Sequence, residues 1–134
     1  MNFKQLGISN DLVNTLNQMG IKNPTPIQEE AIPLIINKKD IIAQSQTGTG
    51  KTLAFLLPMF ENINPKDNSI QGLIITPTRE LAIQISEAAQ KLNETKNLNI
   101  LAAYGGKDIK SQLNKLKRNI HLVIATPGRL LDHL

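Results

Sequence analysis

Four short apolar runs, at residues 40–43, 72–76, 99–103 and 121–126, are each followed by a stretch with helical patterning. The runs are continuous rather than alternating, the signature of strands buried on both faces of a parallel sheet. Helical stretches fall at residues 51–62, 79–93 and 108–117. Strands that alternate with helices predict an α/β domain, a parallel sheet flanked by helices and joined by right-handed crossovers. Residues 64–68 are turn formers and read as a loop. Thr126-Pro127 has the chemistry of an N-cap and a first helical residue, so a further helix opens there. Residues 1–36 stand apart, with no strand signal and two helical patterns. Ser9 or Asn10 caps the first, which runs through Met19 with Leu12, Val13 and Leu16 on its apolar face. Pro24-Thr25-Pro26 then breaks the chain, and the second runs from Ile27 to Ile36. The expected division is therefore a helical region at 1–36 and an α/β region at 37–134.

One junction between a strand and a helix carries chemistry. The run at 40–43 leads into Ser45-Gln46-Thr47-Gly48-Thr49-Gly50-Lys51-Thr52, and an apolar helical pattern leads out. Strand, glycine-rich turn, Lys-Thr and helix, in that order, build a phosphate cradle. Glycines let several backbone N–H groups point at one anion. Lys51 is placed to meet the β- and γ-phosphates, and the Thr52 hydroxyl to ligate Mg²⁺. The strict pattern has glycine at position 45, where this chain has serine.

Composition excludes several classes. At 134 residues, 40% hydrophobic and 19% charged, the chain is an ordinary globular domain or part of one. With three Phe, one Tyr and no Trp, aliphatic side chains must fill its core. The absence of cysteine rules out disulfides and thiolate metal sites and fits a cytoplasmic protein. No apolar stretch near Met1 resembles a signal peptide, and the longest apolar run, 53–60, is too short to span a bilayer. The net charge of +4 is compatible with an anionic partner. Part of it clusters at Lys107, Lys110, Lys115, Lys117 and Arg118, which read as the solvated face of an amphipathic helix. Neither His121 nor His133 has the neighbours of a metal site.

Several separated motifs together resemble the N-terminal part of a DEAD-box ATP-dependent RNA helicase, of bacterial style. Residues 20–28, from Gly20 to Gln28, match the family's Q motif, and Phe3 stands at its isolated upstream aromatic. Ser45 to Thr52 match the family P-loop, with Ser45 in the alanine position. Pro77-Thr78-Arg79-Glu80-Leu81-Ala82 matches motif Ia, and Gly105-Gly106 and Thr126-Pro127-Gly128-Arg129 follow in family order. The resemblance implies a RecA-like P-loop domain that takes ATP and Mg²⁺ as cofactors. It implies that Gln28 reads the adenine edge, Phe3 stacks on the base, and residues 45–52 hold phosphates, with Lys51 and Thr52 acting in catalysis. An amide pairs bidentately with adenine, whereas guanine would leave buried polar groups unpaired. On residue type alone, Gln28 reads as a helix-surface residue and Phe3 as a core anchor.

The resemblance further implies that Pro77, Thr78, Arg79, Gly105, Gly106, Thr126, Pro127, Gly128 and Arg129 contact the backbone of single-stranded RNA. All follow expected strands, at the carboxyl edge where α/β sheets bind ligands. Such contacts fix position without reading bases. Without the family, Thr78 and Thr126 are helix caps, Gly105-Gly106 a turn and Arg79 a surface charge. No D-E-x-D sequence occurs among the 134 residues. The family's D-E-A-D strand and second RecA-like domain are thus expected to lie outside this chain, leaving an open sheet edge. The chain by itself is then expected neither to hydrolyse ATP at a useful rate nor to unwind RNA. The alternative is a non-catalytic nucleotide- or RNA-binding module.

Overall fold

The computed structural model describes residues 1–45, 50–104 and 119–128. The chain forms two compact units, Met1–Asn62 and Ile63–Leu134.

The first unit is helical. Helix α1 (Asn10–Gln18) buries Leu12, Thr15 and Leu16, while Val13 is half-buried. It stops at Gly20, whose φ of 80° lies in the left-handed region. There the Ile21 N–H donates to the Leu16 carbonyl at 2.9 Å and the Gly20 N–H to Asn17 at 3.0 Å. These are the two bonds of a Schellman stop, which satisfies carbonyls the helix leaves orphaned. Helix α2 (Pro26–Ile36) starts on Thr25 with Pro26 in its first turn, where a missing N–H costs nothing. Helix α3 (Lys51–Asn62) buries Ala54, Leu56, Leu57 and Phe60 and packs along α2. Asn62 Nδ2 donates to the Ile35 carbonyl at 3.3 Å and joins the two helix ends.

The strand expected at 40–43 does not form. Residues 39–45 carry no regular structure, and Ile42 is 96% exposed. A strand exists through its ladder, and no ladder among the described residues includes this run. Apolar character alone therefore does not make it a strand.

The second unit holds a parallel sheet of β1 (Gly72–Ile75), β2 (Ile100–Ala103) and β3 (Leu122–Ala125), with helix α4 (Arg79–Leu92) between β1 and β2. Spatial order is β1-β3-β2, so the last strand enters between the first two. The register runs Gly72↔Leu122 to Ile75↔Ala125 on one side and Ile100↔Leu122 to Ala103↔Ala125 on the other. Every residue of β3 is buried, as a continuous apolar run predicts for a central strand. The same expectation fails for β1, where Leu73 is 50% and Ile75 53% exposed. β1 is an edge of the described sheet. Leu73 and Ile75 share the face that Val123, Ala125, Leu101 and Ala103 bury, but that cover does not extend to them. Helix α4 turns Ala82, Ile85, Ala89 and Leu92 inward and packs on β2 and β3. The helix expected at 108–117, with its basic cluster, lies outside the described residues.

A hydrogen-bonded knot ties the loop before β1 to the strand before it pairs. Gln71 Nε2 donates to the carbonyls of Asn64 (2.8 Å) and Asp67 (3.1 Å), and its Oε1 accepts from the Asn64 N–H (2.8 Å). His121, 3% exposed, accepts from the Asn99 N–H at Nδ1 (2.9 Å) and faces the Pro65 carbonyl with Nε2 (3.1 Å). That pair of partners requires the neutral ring with its proton on Nε2. The Ser69 hydroxyl and N–H both donate to Asp67, and these bonds hold its carboxyl below its ordinary pKa.

Candidate functional site

The phosphate turn is joined to the segment that precedes α2. Thr25 and Gln28 form a complete capping box. The Thr25 N–H donates to Gln28 Oε1 at 2.9 Å, and the Gln28 N–H donates to Thr25 Oγ1 at 3.4 Å. Gln28 Nε2 then donates to the Gly50 carbonyl at 3.1 Å. Both ends of this amide are therefore engaged, and Gln28 is 2% exposed. Gly50 has φ of 88°, and a Cβ there would lie 2.5 Å from Gln28 Nε2 and 2.9 Å from Thr25 Oγ1. Glycine is required twice, by conformation and by space.

Lys51 opens α3 and is exposed, Thr52 is half-buried beside it, and Ser45 is half-buried. An exposed cation and a hydroxyl at a helix N-terminus suit a polyphosphate. Gln46, Thr47, Gly48 and Thr49 lie outside the described residues. Phe3 is 2% exposed; it anchors a turn in which its carbonyl accepts from Leu6 and Ile8. An apolar cavity of about 410 Å³ lies against α2 and α3, lined by Ile27, Ala31, Ile35, Ala54 and Phe55 with Lys51 as its charged residue. Neither Gln28 nor Phe3 lines it.

In the second unit, parallel pairing brings the segments after the three strands to one edge. Thr78 is the N-cap of α4, its Oγ1 accepting from the Leu81 N–H at 3.2 Å. Buried Thr76 donates its hydroxyl to the Thr78 carbonyl at 2.9 Å and its N–H to the Ala125 carbonyl at 2.9 Å. The Thr126 N–H reaches the Ala103 carbonyl at 3.0 Å, and helical backbone begins at Pro127. Pro77, Thr78, Arg79, Pro127 and Gly128 are exposed, with Thr126 half-buried. Among the described residues, a Cβ at Gly128 would meet nothing within 4 Å. The Arg79 guanidinium lies over the Tyr104 ring, 6.0 Å from its centroid. Gly105, Gly106 and Arg129 lie outside the described residues.

Sequence reasoning missed four participants. Thr25 was readable, because T-x-x-Q before an apolar helix is the capping-box spacing. Tyr104, Thr76 and His121 are placed by distant partners: Arg79 lies 25 positions from Tyr104, the Ala125 carbonyl 49 from Thr76, and Asn99 22 from His121.

Solved structures share this architecture. A DEAD box protein from Methanococcus jannaschii matches with a TM-score of 0.92 at 44% identity, over 99% of this chain and 36% of that one. A variant of S. cerevisiae Dbp5 bound to RNA and ADP BeF3 matches with a TM-score of 0.86 at 36% identity, over 97% and 33% of the two chains. The fold is thus of the α/β, RecA-like class. A family model described as DEAD/DEAH box helicase matches residues 25–134, and the chain belongs to that family. The ATP-dependent RNA helicase CshA of Listeria monocytogenes is 52% identical over 132 residues, 98% of this chain and 25% of that protein. The DEAD-box ATP-dependent RNA helicase CshA of Bacillus subtilis is 49% identical, over 98% of this chain and 27% of its own length. The chain spans about a quarter of the curated relatives it matches.

Proposed function

We propose that this chain is the ATP- and RNA-binding portion of an ATP-dependent RNA helicase. In this reading a Q-motif helical region at 1–36 leads into part of the first RecA-like helicase ATP-binding domain at 37–134. The observation that carries it is the bond from Gln28 to the Gly50 carbonyl, which links the family's adenine-reading position to the residue before Lys51. Lys51 places its charge on the β- and γ-phosphates. The Thr52 hydroxyl would hold Mg²⁺, which supplies neutralisation of phosphate charge when bound. Ser45 through Gly50 supply backbone to the phosphates. Gln28 reads the adenine edge and Phe3 stacks on the base. Pro77, Thr78, Arg79, Gly105, Gly106, Thr126, Pro127, Gly128 and Arg129 contact RNA phosphates, so base sequence matters little. In the whole protein, clamping and bending one strand destabilises short duplexes, and hydrolysis releases the RNA.

Among the described residues no helix is long and apolar enough to cross a membrane. A cytoplasmic setting fits a chain without cysteine. Calorimetric titration with Mg–ADP and Mg–GDP tests the nucleotide half. Saturable ADP binding with GDP much weaker supports it; equal binding removes the role of Gln28, and no binding of either refutes the site.

A further inference from the structure

Arg79 follows β1, and Tyr104 follows β2 directly. Between those strands lies β3, whose own exit segment begins at Thr126. Adjacent strands are about 4.8 Å apart, so a contact between the exits of β1 and β2 must pass over the carboxyl end of β3. The Arg79 guanidinium makes that contact, 6.0 Å from the centroid of the Tyr104 ring. The two partners differ in a useful way: Tyr104 is buried at 9% exposure, whereas Arg79 is exposed. A ring held in the core is a fixed platform; a free arginine on the surface is among the most mobile of side chains. Stacking on the ring face draws the guanidinium to one place through cation–π attraction. A guanidinium stacked on a ring face keeps its in-plane N–H donors available to a further acceptor.

We infer that Tyr104 is a positioning residue for the RNA site: it stacks Arg79 across the end of β3, so that the guanidinium is ordered before a phosphate arrives. This rests on the reading of that edge as an RNA interface and adds a residue to it. Neither the charge nor the ligand contact belongs to Tyr104. Its contribution is the conformational entropy that Arg79 no longer loses on binding. The ring face does this work, so phenylalanine serves at 104 and an aliphatic side chain does not. Lysine at 79 keeps the charge without the planar group, and so loses the stacking.

The test is binding of a fluorescent oligouridylate to the 134-residue chain, measured by anisotropy over a range of salt. Four variants are compared: Tyr104→Leu, Tyr104→Phe, Arg79→Ala and Tyr104→Leu combined with Arg79→Ala. Tyr104→Leu is expected to weaken binding about two- to fivefold, with the salt slope unchanged because no charge is removed. Arg79→Ala is expected to lower the slope by about 0.7, one phosphate contact on a single strand. Tyr104→Leu should then add nothing in the Arg79→Ala background, and Tyr104→Phe should match the unmodified chain. Additive losses in the double variant, or a loss in Tyr104→Phe equal to that in Tyr104→Leu, would overturn the inference while leaving the RNA interface standing. If Tyr104→Leu does not fold, Arg79→Lys decides: a two- to fivefold loss at unchanged slope supports the stacking role, and wild-type affinity refutes it. Failure of the unmodified chain to bind RNA refutes the interface and the inference with it.

Discussion

Replacing Gly50 by alanine disturbs the point where the capping box of α2 meets the phosphate turn. The new Cβ would sit 2.5 Å from Gln28 Nε2 and 2.9 Å from Thr25 Oγ1, both too close to persist. The φ of 88° adds a penalty of about 1–2 kcal/mol for any residue with a Cβ. Moving the Gln28 amide aside breaks its 3.1 Å bond to the Gly50 carbonyl, worth about 0.5–1.5 kcal/mol net. Together these give a destabilisation of about 1.5–3.5 kcal/mol. That is a large share of the roughly 5–15 kcal/mol that holds a domain folded. Urea unfolding followed by circular dichroism reads this as a fall in midpoint of about 1–2 M. Gln28→Ala supplies the control. It removes the nearest clash and the bond together, so in that background Gly50→Ala should cost about 1 kcal/mol less. The backbone penalty and the Thr25 contact remain, so the cost should not vanish. A Gly50→Ala chain as stable as the parent, or strictly additive single and double variants, would refute the coupling of Gln28 to the turn.

Lys51→Ala should lower Mg–ADP affinity about ten- to a hundredfold, the loss of one charge-assisted contact of roughly 1.5–3 kcal/mol. The urea midpoint should hold, because Lys51 is exposed; a midpoint that falls with affinity would show a structural lysine. His121→Ala removes a buried ring and both of its bonds, to the Asn99 N–H and the Pro65 carbonyl, and should cost about 1–3 kcal/mol in chemical unfolding. A cost below about 0.5 kcal/mol would refute the two-sided bond. Asp67 should titrate below its ordinary pKa in NMR, and Ser69→Ala should bring it part of the way back, since it removes the hydroxyl bond and leaves the backbone N–H bond in place. A folded pKa below the unfolded one contributes stability above the unfolded pKa, and that contribution is lost as pH falls through the folded value. An Asp67 signal that titrates normally in the parent chain would contradict the Ser69 bonds.

Local interactions are what the sequence by itself determined. The bounds of α3 at Lys51 and Asn62, the glycine stop of α1 and the Thr25 start of α2 depend on bonds between residues three to five positions apart. Residue type and spacing therefore suffice to specify them. The motifs of the candidate site were readable for the same reason, because a phosphate turn and a helix cap are short segments. Strands follow another rule, since each needs a partner from elsewhere in the chain. The runs at 40–43 and 72–75 both read as strands, yet the second joins a ladder as a half-exposed edge strand and the first joins none described. Tertiary structure alone decided where side chains spend their hydrogen bonds. It buried Gln28 against Gly50, 22 positions on, and closed His121 onto Pro65, 56 positions back. It also laid Arg79 over Tyr104 by inserting the last strand between the first two. No period or spacing in a linear chain encodes such pairs, because they arise only when strand order brings distant segments to one edge.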